Sequence, residues 1–283
     1  MRPTIRILDD ARIELVLNES LRILEEVGVR IAGEQMQARL RDAGFTTNEK
    51  GRWLLPADRV RTAVETVPAS FMLYDRNGDE YAEFGIGVSH FAPGSSGLNI
   101  LDHRTGEHRE AATDDFIEYI KVGYQLKNVR TLATAFSSKE IEPVISDAWR
   151  LYLLLRYTTK AFVSGAFTEH AVPRLAQLMG LYRRDAADLA ARPMAICTVT
   201  AAGQFTYNED STQNLIDFVE AGIPVEIVPI TLMALNAPVT LPGALAFHTA
   251  EVLAGVTMAQ MIKPGAPTLF GGSAAAFHMQ NTT

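Results

Sequence analysis

The chain has 283 residues, 47% of them hydrophobic and 21% charged, enough apolar material to bury a large core and unlike the composition of a disordered chain. Its 26 Lys and Arg against 33 Asp and Glu leave a formal charge of −7, which argues against a nucleic-acid or anionic-membrane surface as the main partner. The lone cysteine, Cys197, excludes an internal disulfide framework and a multi-thiolate metal site, and within the apolar run 193–199 it reads as a packed strand thiol in a reducing compartment. The first residues, MRPTIRILDD, carry no apolar core of signal-peptide form, so cytoplasmic residence is the expectation.

From the N-terminus, Ile13, Val16, Leu17, Leu21, Leu24 and Val27 recur at helical spacing and stop at Gly28, which predicts a helix over 10–27. A second helix is predicted over 34–43, closed by Gly44. Short strands follow at 52–55 and 71–74, flanking a helix that starts after Pro56 and ends near Val67. Residues 1–87 therefore read as a small α+β region without a regular cadence. Residues 88–112 read as β-rich, with a turn over Pro93, Gly94, Ser95, Ser96 and Gly97, a strand at 98–102, and a partner strand around His108.

The pattern then becomes regular. Strand runs begin near Val129, Ala161, Met194, Val225 and Thr268, separated by helical stretches at 113–127, 146–158, 169–182, 210–221 and 241–262. The first four starts lie 32, 33 and 31 residues apart, the size of one βα unit. The strands are apolar without clean alternation, as expected of parallel β covered on both faces. An open doubly wound sheet and a closed (β/α)8 TIM-type barrel both fit, and no GxGxxG follows the first regular strand to support a dinucleotide-binding sheet. A closed barrel needs eight strands, and the pattern supplies five, or six if part of 88–102 joins. If the barrel is the architecture, residues 88–283 hold only part of it, and two or three further βα units would complete it. An incomplete barrel leaves strand edges uncovered, and the long apolar helix 241–262 offers a face for association, so a homo-oligomer is expected. That helix is long enough to raise a membrane question, but His248, Glu251 and Gln260 within it favour burial in protein.

In a parallel barrel the loops after the strand C-termini build the site. Those loops carry Ser137 and Ser138, Phe167, Gln204, Phe205, Tyr207 and Asn208, Thr231 and Asn236, then Ser273, Phe277 and His278. They are aromatic and hydroxylic rather than acidic, which suits a small methylated ammonium group held by aromatic faces and hydroxyl dipoles. The candidate substrate-binding residues are Ser95, Asn99, Phe205, Tyr207 and Phe277, although loop aromatics also cap cores and serine also serves turns. No catalytic residue is assigned. His248 and Glu251, three apart on one helical face, read as a structural pair, and His90, His103, His108 and His170 lack metal-ligand spacing, so no metal is expected. A barrel lyase or aldolase using Lys139 at a strand end is the alternative within enzymes, with Lys160 on the opposite, stability side. A non-catalytic binding or assembly protein is the alternative outside them.

Pro224 and Val225, Pro238 and Val239, Gly243, His248, the run Ala250, Glu251, Val252 and Leu253, then Gly255, Pro264, Gly265 and Ala266, and Gly272, Ser273 and Phe277 carry a familiar wording. With LRILEEVGVRI and HFAPGSSGLNILDHRTGEHREAAT earlier in the chain, it resembles the trimethylamine methyltransferase family, which includes pyrrolysine-containing archaeal enzymes and pyrrolysine-free glycine betaine:corrinoid methyltransferases. The resemblance implies the barrel rather than the open sheet, with residues 88–283 a partial (β/α)8 barrel truncated at the C-terminus, its last two or three βα units absent. It also implies transfer of a methyl group from a methylated amine, trimethylamine or a quaternary amine such as glycine betaine, to the Co(I) of a corrinoid (cobalamin) carried by a separate partner protein, with no cofactor held tightly by this chain. The pyrrolysine position of the archaeal enzymes would fall beyond Thr283.

Overall fold

The computed structural model of the chain describes residues 6–95, 97–167, 170–278 and 280; Ser96 and Glu169, named above, lie outside them. Asp9 opens helix α1 (Asp10–Arg22), its side chain accepting the Arg12 backbone N–H at 2.9 Å. The helix runs on as a π-helical turn, Ile23–Val27, before Gly28 ends it. Helices α2 (Glu34–Asp42) and α3 (Ala57–Thr66) follow, with the antiparallel strands Thr46–Thr47 and Trp53–Leu54 between them. The strand at 71–74 is present as Ser70–Tyr74 and pairs with Glu80–Gly85, which the sequence reading missed. Glu80 and Glu83 break the apolar run there, but Ala82 between them is buried, the mark of a strand with one wet face.

Beyond α4 (Thr113–Gln125) the chain alternates as expected. Leu132–Ala133, α5 (Pro143–Tyr157), Phe162–Gly165, α6 (Ala171–Gly180), the short α7 (Ala186–Ala191), Ala195–Val199, α8 (Glu209–Glu220), Val225–Ile227, α9 (Leu241–Ile262) and Thr268–Phe270 follow in order. The five strands form one parallel sheet and stand side by side in chain order. Parallel bridges from Phe91 to Val129 and from Gly97 to Phe136 set Phe91 and Gly97 along the first strand's edge. Asn99–Leu101 and His108–Glu110 form the expected hairpin.

Alternation sorts the two faces of this sheet. Phe162, Ala195, Cys197, Val199, Val225 and Ile227 belong to a continuous buried cluster with helical residues such as Leu154, Leu175, Leu215 and Val252. On the other face Ile196, next to Ala161, meets Leu73 of the Ser70–Tyr74 strand, with Phe71, Tyr81, Phe84 and Leu269 around it. Helices therefore cover one face, and an N-terminal hairpin plugs the other. Leu24, Trp53 and Val60 share the main cluster with Leu253, so the N-terminal region packs into the same core as the sheet.

Helix α9 is long and apolar enough to cross a membrane, but it is a core helix here, packed against α1, α3 and α8. The association face expected on α9 is covered by the chain's own α1 and α3. Cys197 is fully buried, and desolvation pushes its thiol well above the ordinary range.

Candidate functional site at the strand C-termini

Four non-glycine residues among those described have left-handed backbone: His170 (φ 52°), Gln204 (φ 52°), Phe205 (φ 53°) and Ala234 (φ 68°). All four fall in loops that leave the C-terminal ends of three adjacent parallel strands. Backbone held in sparsely populated conformations collects at functional sites because the surroundings must over-determine it.

What holds the middle loop can be read bond by bond. Gly203 (φ 83°), Gln204 and Phe205 are left-handed in succession. The Phe205 N–H donates to Glu251 Oε1 on α9 at 2.9 Å, and its carbonyl accepts the Arg30 N–H at 2.8 Å. Its ring packs on Phe247 with centroids 4.2 Å apart. The Tyr207 hydroxyl donates to the Glu251 backbone carbonyl at 2.7 Å, and Thr206–Tyr207 pairs in parallel with Arg30–Ile31. The next two loops are joined by Leu232–Met233 pairing with Ala275–Ala276, and by His248 of α9. Its Nε2–H donates to the Gly271 carbonyl at 3.0 Å, so Nδ1 accepts the Thr231 hydroxyl at 2.8 Å. Burial lowers the pKa of this imidazole, which favours that neutral form.

On the face opposite the helices, register puts Gly165, Thr198, Glu226 and Leu269 at one level, directly C-terminal to the hairpin plug. The Phe167 ring folds over Gly165, where a Cβ would fall 2.4 Å from it and would push the ring aside. Asp147 fixes this arrangement from α5. Its Oδ2 accepts the Phe167 N–H at 2.8 Å and its Oδ1 the Arg150 guanidinium at 2.5 Å, with that guanidinium 5.5 Å from the Phe167 ring centroid. The Thr198 hydroxyl donates to Glu226 Oε1 at 2.5 Å. No Lys, Arg or His among the described residues pairs with Glu226, and burial raises its carboxyl above the usual range despite the Thr198 bond. A separate cleft of about 190 Å³ lies between the strand ends and the start of α8, lined by Phe167, Thr198, Asn208, Asp210 and Asn214 and not by Glu226.

The structure strings the sequence candidates along the strand series rather than gathering them. Ser95 and Asn99 are exposed on the segment beside the first strand, and Phe277 is half-buried on the loop after the last. Phe205 and Tyr207 lie in the middle but turn toward α9, and Tyr207 is fully buried. His248 and Glu251 each take other partners instead of forming a pair, and those partners lie in the strand-end loops. Lys139 is an exposed residue paired with Glu110. Lys160 donates to the carbonyls of Gly123, Leu126 and Val129 on the strand N-terminal side. Sequence reasoning passed over Glu226 and Thr198 because it searched loops, whereas both sit inside strands. The available signal was Glu226 itself, the one charged residue in the run IPVEIVPI. Among the described residues no three His, Cys, Asp or Glu side chains group to hold a metal ion.

A mixed α/β chain, with a parallel sheet whose strand C-termini carry a strained, cleft-forming set of loops, is the class this geometry defines. A model of the trimethylamine methyltransferase (MTTB) family matches residues 1–282, and the chain belongs to that family. It is similar to a glycine betaine methyltransferase of Desulfitobacterium hafniense (strain Y51), 24% identical over 280 residues that cover 99% of this chain and 58% of that protein. It is similar to a proline betaine:corrinoid methyltransferase of Eubacterium limosum, at 25% over 282 residues covering 95% and 56%. It is also similar to trimethylamine methyltransferase MttB of Methanosarcina barkeri, at 22% over 278 residues covering 93% and 54%. The chain thus spans little more than half the length of these relatives.

Proposed function

We propose that this chain forms the amine-binding part of a corrinoid-dependent methyltransferase, with a quaternary or tertiary methylated amine as methyl donor. The family match over residues 1–282 carries this reading. The relatives' names place trimethylamine, glycine betaine and proline betaine among the substrates of those proteins, and one names a corrinoid. The parallel sheet is read as an arc of a (β/α)8 barrel, because its helices lie on one face and a plug on the other, where a doubly wound sheet would carry helices on both. Residues 1–87 and 88–283 are its N-terminal region and its barrel portion.

The methyl acceptor enters as a co-substrate on a second protein and supplies the electron pair that displaces the amine. What this chain must do is hold the donor, aim its methyl group out of the strand ends and exclude water. Phe167 and Phe277 offer aromatic faces for the ammonium, Ser95, Asn99 and Thr198 offer polar groups at the rim, and Phe205 and Tyr207 hold the middle loop in place. The leaving amine departs neutral from a quaternary donor, so no strong base is required for that step.

The test is calorimetric titration with trimethylamine, glycine betaine and proline betaine, followed by absorbance-monitored methylation of Co(I) cobalamin. Binding of at least one amine is expected. Failure to bind any of them, with no cobalamin methylation, would overturn the reading. The lyase alternative loses support because Lys139 is occupied at the surface, and borohydride trapping of a carbonyl substrate on Lys139 would revive it.

A further inference from the structure

We propose that Glu226 is the counter-ion of the substrate, a carboxylate on the inner face of the sheet that pairs with the cationic nitrogen and makes the site select an ammonium over a neutral molecule of the same shape. This rests on the methylated-amine reading and deepens it.

Position comes first. Glu226 lies on the sheet face away from the helices, between Thr198 and Leu269 in register, one layer above Ile196 and the hairpin residues that close the floor. Its neighbours on that face are apolar or hydroxylic: Gly165 under the Phe167 ring, Thr198, Leu269. A carboxyl in such a place is costly unless it is paired, and buried ionised groups in proteins find a partner of opposite charge or give up their charge. Its protein partner is the Thr198 hydroxyl, 2.5 Å from Oε1, and a neutral amide would accept that bond equally well. The hydrogen bond therefore does not explain why the residue is acidic.

A cationic ligand does. Burial already holds the free carboxyl toward its neutral form. An ammonium arriving within about 4–6 Å favours the carboxylate by about 1–3 pKa units, and by linkage the carboxylate strengthens binding of that cation by about 10- to 1000-fold. In atoms, any proton that Glu226 carries passes to solvent, and the carboxylate takes the ammonium as its partner, so that charge on the inner face is balanced after binding. Glu226 contacts the substrate cation and takes no part in the bond changes of methyl transfer.

The experiment compares choline with 3,3-dimethylbutan-1-ol, which has the same shape without the charge, by calorimetric titration in two buffers of different ionisation enthalpy near pH 6. The native chain is expected to bind choline at least about tenfold more tightly than the alcohol and to release protons on binding it. Glu226→Gln should bring the two ligands to within about threefold and abolish proton release, while Glu226→Asp should keep part of both effects. Asp retains the charge, so it also decides the matter if the Gln variant melts early by circular dichroism. If Glu226→Gln kept the choline preference and the proton count, the proposal would be overturned while the methyltransferase reading stood. A native chain that bound choline and the alcohol equally would overturn it too, and one that bound neither ligand and none of the methylated amines would overturn both.

Discussion

Glu251 Oε1 accepts the backbone N–H of Phe205 at 2.9 Å, so a carboxyl on the core helix α9 holds a loop residue in left-handed backbone. The other oxygen, Oε2, is buried and takes no hydrogen bond from the described residues, and burial pushes the carboxyl up to about 7 from an ordinary 4.5. A carboxyl raised by folding stabilises the protein in its protonated state. That contribution is complete below about pH 4.5 and is lost as pH rises through about 7, where the folded protein must ionise a buried group that no cation among the described residues pairs with. The loss amounts to up to about 3 kcal/mol. Glu251→Gln keeps an acceptor for Phe205 and removes the ionisation. In thermal melts the difference between Glu251→Gln and native stability should grow in the variant's favour from pH 5 to pH 8. A difference that stayed constant over that range would show that Glu251 does not titrate there.

Gly255 lies one turn further along α9, against Ile227 of the sheet. A Cβ there would fall 2.6 Å from Ile227 Cγ2 and 2.7 Å from the Tyr207 hydroxyl. Neither neighbour is free to retreat, since Ile227 is on a central strand and Tyr207 is fully buried with its hydroxyl bonded to α9. Gly255→Ala should cost about 1–3 kcal/mol by overpacking, outweighing the roughly 1 kcal/mol of helix propensity that alanine brings. Tyr207→Phe should cost only about 1 kcal/mol, one hydrogen bond, and should relieve part of the Gly255→Ala penalty in the double variant. Urea titration of the four proteins measures both. Strict additivity would mean that the hydroxyl is not what the new methyl group meets.

These two positions also mark what could be read from sequence. The α9 boundaries, 241–262, follow from Pro242 at the start and Pro264 with Gly265 at the end, and the structure reproduces them. The parallel strands at 162, 195 and 225 follow from apolar runs at βα spacing and the one at 268 from the Pro264-Gly265 stop before it, because a strand buried on both faces must be apolar throughout. The same rule concealed the candidate site. An acidic residue in such a run reads as an interruption, and only the register between Thr198 and Glu226 turns it into a carboxyl on the inner face. The left-handed stretch at Gln204 and Phe205 had no signal either, because neither residue favours that conformation and the bonds that enforce it come from Arg30 and Glu251. Tyr207 looked like a loop aromatic because its parallel pairing with Ile31, 176 residues earlier, is not a local property.

The support beneath Phe167 yields the last prediction. Asp147 and Arg150 are both nearly fully buried one turn apart on α5, and the Asp147 carboxylate holds the Arg150 guanidinium with one oxygen and the Phe167 N–H with the other. Phe167 itself is half-exposed, with its ring over Gly165 on the side where a ligand would enter. Asp147→Ala should therefore act on two levels. It leaves a buried guanidinium without its charge partner, which costs about 3–5 kcal/mol of stability, and it frees the backbone that aims the Phe167 ring. Phe167→Ala removes the ring while leaving the buried pair intact, so it should cost little stability but weaken cation binding by about 0.5–2 kcal/mol. Denaturant titration and choline calorimetry on the two variants separate the effects. If Phe167→Ala bound choline as tightly as the native chain, the ring would not be part of the ammonium's surroundings, and Asp147 would be left with a purely structural role.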